Sequence, residues 1–431
     1  MPARADSAIA ERIPPARAPQ PLKILMVTDY YPPFVGGVEI LVSTVSRELV
    51  RRGHDVAVAT LGADGLPATE VDEGVRVYRI GTTTGRHPRL FKSDTRMWAP
   101  PAPDPEAVAG LRRVLAREQP SIVHGHDWLA RSYLPLKRRS GPPLVMSLHY
   151  FTLSCPKKSL LFEGSPCSGP ALGKCLSCAG RHYGRVKGSV VVLAQQAFSR
   201  AERALVDVFL PVSEATAADN GLAAGDRRYL VIPNLVPPAR DPAPHAHLLD
   251  QLPAERFLLF VGDLRPAKGI EVLLEAYRRL AAPPPLVLIG KTWPDTPDDL
   301  PPGVTVLRDW PNPAVREAMR RCLALTAPSL LPEPFGIVVA EALAAGRPVV
   351  ASAVGGIPEV ARHDAEGLLV PPGDVAALAE ALGRIASDPR LSERLAANAS
   401  RRSADYAPDV VLPRLEAAYA GVLDRRKRGR S

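Results

Sequence analysis

The sequence has no uninterrupted apolar run of about 18 residues, so no membrane-spanning helix is predicted. Residues 1–21 lack the apolar core of about 7–15 residues that a secretory signal carries, and we interpret them as a disordered tail. No helix-turn-helix or aromatic-basic module accompanies the basic residues, which argues against a nucleic-acid partner. Together these absences predict a cytoplasmic location.

Length and composition indicate a globular protein of two domains. The chain has 431 residues, more than one hydrophobic core usually supports. Hydrophobic residues make up 46% and charged residues 23%, the ordinary balance of a folded protein. The 47 prolines fit a protein with many loops between short elements.

The net charge of +9 is carried partly by local basic runs, LKRRSG at 136–141 and DRRKRGRS at 424–431. Two interpretations stay open. The charge can belong to a solvated surface with a basic tail, or it can attract anionic lipid headgroups. The second interpretation would place the protein peripherally at the inner face of the membrane.

The first half of the chain alternates between apolar strands and amphipathic helices. Helices are predicted before Gly53, which would end the first of them, and at about 105–118. Strands are predicted at KILMVTDYY (23–31), DVAVATL (55–61), VRVYRI (75–80), SIVHGHD (121–127), PPLVMSLHY (142–150), LVDVFLPVSE (205–214) and YLVIPNLV (229–236). This alternation predicts an α/β, doubly wound parallel sheet over 22–236.

A proline-rich linker at 237–255 separates this half from a second one. Strand–helix alternation restarts at RFLLFVGDL and continues through GLLVPP, so a second doubly wound domain is predicted over 256–405. A C-terminal helix and basic tail at 406–431 are expected to pack back on the first domain. Because ligands bind beyond the carboxyl ends of strands in such sheets, we expect an inter-domain cleft.

Two glutamates flank a predicted helix start in LPEPFGIVVAEALAAGRPVVAS, residues 331–352. Gly336 and the apolar run behind it place a helix N-terminus after a strand, where unpaired backbone N–H groups can bind an anion. Glu341 would lie about 7–8 Å further along, and its carboxylate suits the two hydroxyls of a ribose. Glu333 would meet the group beyond the phosphates. In the competing interpretation, Glu341 caps a neighbouring loop and Glu333 is a surface acid.

The segment EPFGIVVAEALAAGRPVVASAVGGIPEV resembles the donor site of retaining glycosyltransferases of family four, which have the GT-B fold of two Rossmann-like domains. The resemblance continues through ILMVTDYYPPFVGGVE, VHGHD, PVSE and VGDLRPAKGIEVLLEAY. It implies that Glu341 holds the ribose and that Glu333 lies near the transferred sugar. It also implies that backbone N–H groups of Phe335, Gly336 and Ile337 face the diphosphate and the sugar hydroxyls.

The cations expected at the diphosphate match the family only in part. Lys268 in RPAKG is similar to the family lysine that neutralises the leaving group, a task that suits a flexible point charge. The family often has arginine after the glycine of this strand, whereas Asp263 follows Gly262 here. Arg265 either replaces that arginine or faces solvent.

The first half contributes further candidates for donor contact. Gly36 and Gly37 lie between the first strand and its helix, where they either admit a phosphate or sugar closely or form an ordinary turn. His126 resembles the family histidine near the donor sugar, although a strand-end histidine can also bridge loops. His124 points to the same face but lies deeper, as a core residue would. His149 ends the next strand and is expected to line the same cleft.

The resemblance implies retaining transfer of a sugar from a nucleotide-diphosphate donor to a glycan, a glycolipid or a small glycoside. Either the departing diphosphate accepts the proton of the acceptor, or Glu333 forms a covalent intermediate. The sequence contains no D-x-D, so we expect metal-independent catalysis in which Lys268 and a helix dipole balance the phosphate charge. The alternatives are a sugar-nucleotide epimerase, a phosphorylase, and a zinc-containing binding protein without turnover.

Four of the five cysteines fall within an insertion at 155–178: Cys155, Cys167, Cys175 and Cys178. In a cytoplasmic protein this spacing, which includes one C-x-x-C, favours metal over disulfides. We predict a structural zinc ion that staples a loop too polar to fold by burial. An iron–sulfur cluster, disulfides or free thiols are the alternatives, and Cys322 is predicted to lie in the core.

Overall fold

The computed structural model describes residues 20–34, 36–86, 92–93, 96–97, 99–138, 140–223, 228–237 and 243–428. The chain forms two compact units, the first made of Met1–Lys158, Gly169–Leu235 and Pro408–Ser431, and the second of Ser159–Ser168 and Val236–Ala407. The tail predicted at 1–21 falls outside the described residues except for its last two. The predicted linker at 237–255 is described at 237 and from 243 onward, where it includes a one-turn helix.

The longer strands are, in chain order, β1 (Lys23–Val27), β2 (Asp55–Leu61), β3 (Thr69–Asp72), β4 (Val75–Ile80), β5 (Ile122–Gly125), β6 (Leu144–Leu148), β7 (Val208–Pro211), β8 (Leu258–Val261), β9 (Leu286–Ile289), β10 (Val304–Leu307), β11 (Ala324–Ala327), β12 (Val349–Ser352) and β13 (Gly367–Val370). Two short hairpins pair Lys92–Ser93 with Arg96–Met97 and Leu161–Phe162 with Ser165–Pro166.

The α-helices are α1 (Gly37–Arg51), α2 (Thr83–Arg86), α3 (Pro105–Glu118), α4 (Leu172–Tyr183), α5 (Arg185–Leu205), α6 (Glu214–Asp219), α7 (Ala246–Leu249), α8 (Ile270–Arg278), α9 (Asn312–Arg321), α10 (Ile337–Ala344), α11 (Ile357–Val360), α12 (Val375–Ser387), α13 (Pro389–Ser403) and α14 (Pro408–Arg428). A 3-10 helix covers Trp128–Leu136. Within the described ranges, no helix has both the length and the apolar character needed to cross a bilayer.

The sheet of the first unit has the strand order β7-β6-β5-β1-β2-β4-β3. All neighbours pair in parallel except β3, which is antiparallel to β4 at the edge. The predicted doubly wound sheet is therefore confirmed. The segment predicted as a strand at 229–236 follows β7 only at its start: Tyr229 forms an isolated bridge to Phe209, and Leu230 and Ile232 donate backbone hydrogen bonds to Phe209 and Pro211 at 3.0 Å each. Pro233 has no N–H to donate, so the segment cannot complete a ladder there.

The C-terminal helix α14 packs on this first sheet. Its apolar side chains Val411, Leu415 and Tyr419 lie in one buried cluster with Ile24 and Met26 of β1. On the same helix, the buried carboxylate of Glu416 accepts hydrogen bonds from Arg52 at 2.7 Å and contacts His54 at 3.1 Å. Both apolar burial and a charged anchor therefore hold the helix on the first unit.

Helix α4 begins within the insertion, where the sequence predicted a loop, and α5 follows in a stretch for which no element was predicted. Helices α4 and α5 pack through a small core of Cys175, Ala179 and Val192. A Cβ atom on Gly188 would lie 2.6 Å from the backbone of Ala179, so glycine is what allows the two helices to approach. The loop was predicted from the polar, glycine and proline content of the segment, whereas the close contact of small residues between α4 and α5 is a tertiary effect that composition does not reveal.

A buried ion pair anchors α5 to the rest of the first unit. Arg131 donates to the Glu202 carboxylate at 2.9 Å, to the Pro101 carbonyl at 2.7 Å and to the Thr152 carbonyl at 3.1 Å. Both side chains of the pair are buried. Burial raises the pKa of Glu202, and the positive charge of Arg131 opposes this shift.

We expect Arg131→Met to lower the free energy of unfolding by about 3–5 kcal/mol, because Glu202 would remain buried without its counter-ion. Urea denaturation followed by circular dichroism measures the change. Arg112→Met, an exposed arginine on α3, is the matched control. The double variant Arg131→Met/Glu202→Leu should recover much of the loss. An Arg131→Met variant as stable as the control would contradict the anchoring role.

The second unit has a wholly parallel six-stranded sheet, β10-β9-β8-β11-β12-β13. Counted within the unit, this order is 3-2-1-4-5-6, the arrangement of a Rossmann fold. Fully buried apolar residues on its strands, such as Leu258, Leu286 and Val350, meet Leu273 and Leu382 from its helices. The second Rossmann-like domain predicted from the sequence is confirmed.

Candidate functional site

In the second unit, the N-terminus of α10 is available to an anion. The residue before the helix is Gly336, so no side chain caps the first turn. Its φ of +87° is left-handed, and a Cβ atom there would lie 3.1 Å from Ile357. The preceding Phe335 is buried edge-on against Tyr406. The backbone N–H groups from Gly336 to Val338 therefore have no partner within the helix and carry its positive dipole end.

Glu341 on α10 has polar partners on α9. Its carboxylate accepts a hydrogen bond from Asn312 at 3.3 Å and lies 3.8 Å from the Arg316 guanidinium. Burial raises the pKa of Glu341, while Arg316 and Asn312 oppose that shift. These contacts explain how a carboxylate is tolerated among the buried residues Val339 and Ala342. The single long hydrogen bond leaves acceptor capacity that two hydroxyls can use.

Lys268 and Glu333 are brought into direct contact. The Lys268 ammonium donates to Glu333 Oε1 at 2.6 Å, and the Ser329 hydroxyl donates to the same oxygen at 2.9 Å. Burial lowers the pKa of Lys268, but the charge and hydrogen bond of Glu333 and the charge of Asp263 outweigh it, so the net shift is upward. The lysine is thus held as a cation. Glu341 has a separate set of partners.

The backbone after Lys268 is fixed by a glycine. Gly269 has a φ of +78°, and a Cβ atom there would lie 1.8 Å from the Pro328 carbonyl oxygen. No other residue fits without displacing the loop that carries Ser329 and Glu333. The close approach of these two backbones therefore positions the Lys268–Glu333 pair.

Arg265 pairs with a neighbouring acid at the surface of the second unit. Its guanidinium donates to both oxygens of Asp295, at 2.9 Å for the shortest contact, and lies over the Trp293 ring. The side chain is 43% exposed. Asp263, where the family often has arginine, acts electrostatically on Lys268. Replacement of the family arginine by Arg265 stays a prediction and would require Arg265 to leave Asp295.

In the first unit, Gly36 precedes α1 and Gly37 is its first residue. A Cβ atom on Gly36 would lie 2.3 Å from the carboxylate of Glu39, which is buried in the first turn. The absence of a side chain at Gly36 therefore makes room for an acid of the same helix. A contact of Gly36 or Gly37 with the donor stays a prediction.

Three histidines stack at the carboxyl edge of β5 and β6. His126 and His149 are 3.1 Å apart between ring nitrogens, and His126 Nε2 lies 3.4 Å from Met26 Sδ. His124 is bonded to Tyr419 and Ser147 at 2.8 Å each, as a core histidine would be. Burial lowers the pKa of His124 to about 3 and of His149 to about 4, and that of His126 well below its usual value. All three rings are therefore neutral at physiological pH.

A buried charge cluster beside these histidines was not predicted. Lys158 donates to Asp127 at 2.5 Å and lies 3.6 Å from Asp29, while Asp29 accepts from the Leu129 backbone N–H at 2.9 Å. Asp29 and Asp127 each lie two residues beyond neighbouring strands, so their positions at strand ends could have indicated a shared edge. Lys158 gave no such signal, because it comes from the insertion.

The pKa of Asp29 predicts how the stability of the protein depends on pH. Burial first, and then Asp127, raise this pKa from 3.8 to about 7, against the opposing charge of Lys158. The folded state then holds a proton that the unfolded state has lost, so the contribution of Asp29 to the free energy of unfolding falls as pH rises from about 4 to 7.

In Asp29→Asn, we expect the fall in unfolding free energy between pH 5 and pH 7 to shrink by about 2 kcal/mol. Urea denaturation at the two pH values measures it, with Asp64→Asn, an exposed acid of the same unit, as control. An identical pH dependence in Asp29→Asn and wild type would contradict the assignment.

The predicted four-cysteine zinc site is not supported. Among the described residues, no group of three or more histidine, cysteine or acidic side chains is arranged to hold a metal ion, and none of the five cysteines forms a disulfide. Cys175 fills the core between α4 and α5. Cys322 is buried, and the desolvation raises the pKa of its thiol to about 12.

Protein-family models match residues in both units. Residues 251–402 match the family model described as glycosyl transferases group 1, and residues 36–235 match the model described as glycosyl transferase 4-like domain. The D-inositol 3-phosphate glycosyltransferase of Actinosynnema mirum is 31% identical over 419 residues, covering 90% of this chain and 93% of that protein. A glycogen synthase of Mycobacterium tuberculosis is 31% identical over 406 residues, covering 88% and 90%.

Solved structures share the fold at lower identity. Sucrose-phosphate synthase from Thermosynechococcus elongatus superimposes with a TM-score of 0.69 at 21% identity, over 95% of this chain and all of that one. Anabaena HepE, solved in complex with UDP-glucose, gives a TM-score of 0.63 at 20% identity, over 93% and 99%.

Proposed function

Since the chain belongs to the glycosyltransferase family described as glycosyl transferases group 1, we propose that it is a retaining enzyme that moves a sugar from a nucleotide-diphosphate donor to an acceptor hydroxyl. The predicted family and its GT-B fold are confirmed. The binding-protein, epimerase and phosphorylase alternatives are not favoured. One observation carries the proposal: the unpaired start of α10 lies in the chain between Glu333, which is hydrogen-bonded to Lys268, and Glu341.

The proposed donor site uses these groups in the order of the donor itself. Glu341 accepts hydrogen bonds from the ribose hydroxyls, and the backbone N–H groups of Phe335, Gly336 and Ile337 face the diphosphate. Lys268 adds a positive charge at the leaving oxygen. Glu333, which already holds Lys268, lies toward the transferred sugar.

In the proposed reaction, the bond between the anomeric carbon and the phosphate oxygen breaks while the acceptor oxygen bonds to the same face of that carbon. The acceptor proton passes to the departing diphosphate oxygen. Lys268 and the dipole of α10 stabilise the charge that develops on this oxygen, without a requirement for a metal ion. The competing pathway, in which Glu333 attacks the anomeric carbon, would need Glu333 Oε2 because Oε1 is occupied by Lys268 and Ser329.

The acceptor is proposed to be a glycan, a glycolipid or a small glycoside. The names of the relatives, D-inositol 3-phosphate glycosyltransferase and glycogen synthase, already cover a small polar acceptor and a polymer. A cytoplasmic enzyme at the inner face of the membrane accommodates all three classes. The UDP-glucose complex of HepE makes UDP-glucose the first donor to test.

The test is incubation with UDP-, GDP- and ADP-sugars and a panel of acceptors, with proton NMR of the anomeric signal in the product. We expect one nucleotide class to be consumed, release of the nucleoside diphosphate, and a product with the anomeric configuration of the donor. An inverted product would contradict the retaining mechanism. No consumption of any donor, with or without acceptor, would contradict transfer altogether.

A further inference from the structure

Helices α4 and α5 carry an unusual share of exposed apolar surface. Of eight large apolar side chains that are exposed among the described residues, five lie on these two helices. The most exposed of these five are Val186 at 82%, Val190 at 62% and Leu193 at 58%, all on α5. We call these three residues the α5 stripe. Contiguous exposed aliphatic side chains of this kind mark an interaction surface rather than a random scatter.

The α5 stripe follows one side of the helix. Its members are spaced i, i+4 and i+7, the period of one helical face. The opposite face is buried: Gly188 and Val192 meet α4, and Gln195 and Glu202 are bonded to the body of the first unit. Because both the small core and the Arg131 ion pair hold that opposite face, the helix cannot rotate to bury its stripe.

The charge around the stripe is of one sign. Residues 164–201 contain no aspartate or glutamate. The same segment has five basic residues, Lys174, Arg181, Arg185, Lys187 and Arg200. Arg185 and Arg200 are exposed and stand near the two ends of the stripe. An aliphatic stripe between cations is complementary to an anionic lipid surface, in which acyl chains lie beneath negatively charged headgroups.

We propose that the α5 stripe and its flanking arginines dock the first unit onto an anionic lipid surface. The valines and the leucine would enter the boundary between headgroups and acyl chains, and Arg185 and Arg200 would contact the phosphates. A second copy of the chain is disfavoured as the occupant, because a symmetric contact would set these cations against each other. Nucleic acid is disfavoured because a phosphate backbone has no apolar surface against which the aliphatic stripe could be buried.

This surface is independent of the proposed sugar transfer, since none of its residues lies among the candidate donor groups. A catalytically inactive variant such as Lys268→Ala should therefore bind lipid as wild type does. Conversely, a protein without glycosyltransferase activity could still dock. The two proposals can fail separately.

The test is flotation of the full chain with vesicles of phosphatidylglycerol and phosphatidylcholine, compared with vesicles of phosphatidylcholine alone. We expect binding to the anionic vesicles only, weakening as salt is raised because the attraction is screened. Val186→Ser/Val190→Ser/Leu193→Ser should lower the ratio of bound to unbound protein about tenfold or more. Arg185→Glu/Arg200→Glu should have a similar effect without changing the stripe.

The matched control is Val71→Ser, which alters a valine that is 70% exposed on the edge strand β3. It should bind as wild type does, and thermal melts should show that every variant is folded. If the triple variant does not fold, the arginine variant and the single valine variants still decide the outcome. The proposal would be overturned if wild-type protein did not bind anionic vesicles, or if the stripe variants bound them as well as wild type does. Self-association that the stripe variants abolish, without vesicle binding, would identify a second copy as the occupant.

Discussion

Lys268→Ala is expected to lower turnover by about 10²–10³-fold while leaving the protein folded. The lysine is held by Glu333 at 2.6 Å and stays cationic in a half-buried position. At the leaving oxygen, where negative charge develops as the glycosidic bond breaks, such a fixed cation stabilises the transition state more than the ground state. The loss should therefore appear mainly in kcat. Initial rates of nucleoside diphosphate release measure it.

Lys291→Ala is the matched control for this variant, because Lys291 is an exposed lysine of the same unit that lies over Trp293. It should keep the wild-type rate. Glu333→Gln tests the pair further: since the two side chains are hydrogen-bonded, the losses in Lys268→Ala and Glu333→Gln should not add in the double variant. A folded Lys268→Ala protein with wild-type kcat would remove the lysine from the mechanism.

Glu341→Ala is expected to weaken donor binding by about 10²-fold or more, because two hydrogen bonds to a charged acceptor are lost at about 1.5–3 kcal/mol each. Here the loss should appear in KM for the donor, since ribose contacts are equal in the ground state and the transition state. Steady-state kinetics over a range of donor concentrations separate the two constants. Glu380→Ala, which removes an exposed glutamate of α12, should change neither.

A 2′-deoxyribose donor sharpens the test of Glu341. Wild-type protein should discriminate against it, whereas Glu341→Ala should treat the two donors nearly alike. Equal discrimination by both proteins would mean that Glu341 serves Arg316 and Asn312 structurally and does not touch the ribose.

The strands that could be predicted from the sequence are those in which apolar and β-branched residues predominate. Strands β2 and β4 have the bounds that their patterns predicted, 55–61 and 75–80. Edge strand β3, Thr69–Asp72, has two acids among its four residues. It lacks the apolar run of a buried strand because one side of it faces water, so the sequence did not predict it. The contact of α4 with α5 could not be predicted, because it depends on the close approach of small residues such as Gly188 and Ala179.

Some residues of the candidate site could be predicted from the sequence and others could not. Lys268 and Glu341 lie on loops and helices that the strand–helix alternation already predicted. The family resemblance could therefore predict that both belong to one site. Lys158 could not be predicted, because its contact with Asp127 joins residues 31 positions apart through a loop in which Lys158 itself has a φ of +62°. Such contacts depend on the path of an irregular backbone, which has no periodic signal.

Calorimetric titration of the purified protein with UDP, GDP and ADP, beside its Glu341→Ala variant, tests the proposed donor site most directly. We expect one of the three nucleotides to bind the wild-type protein well and to lose about 10²-fold or more of its affinity in the variant. The absence of binding by any of the three would contradict the donor site in the second unit. Equal affinity of the two proteins for a nucleotide would contradict the role of Glu341 in it.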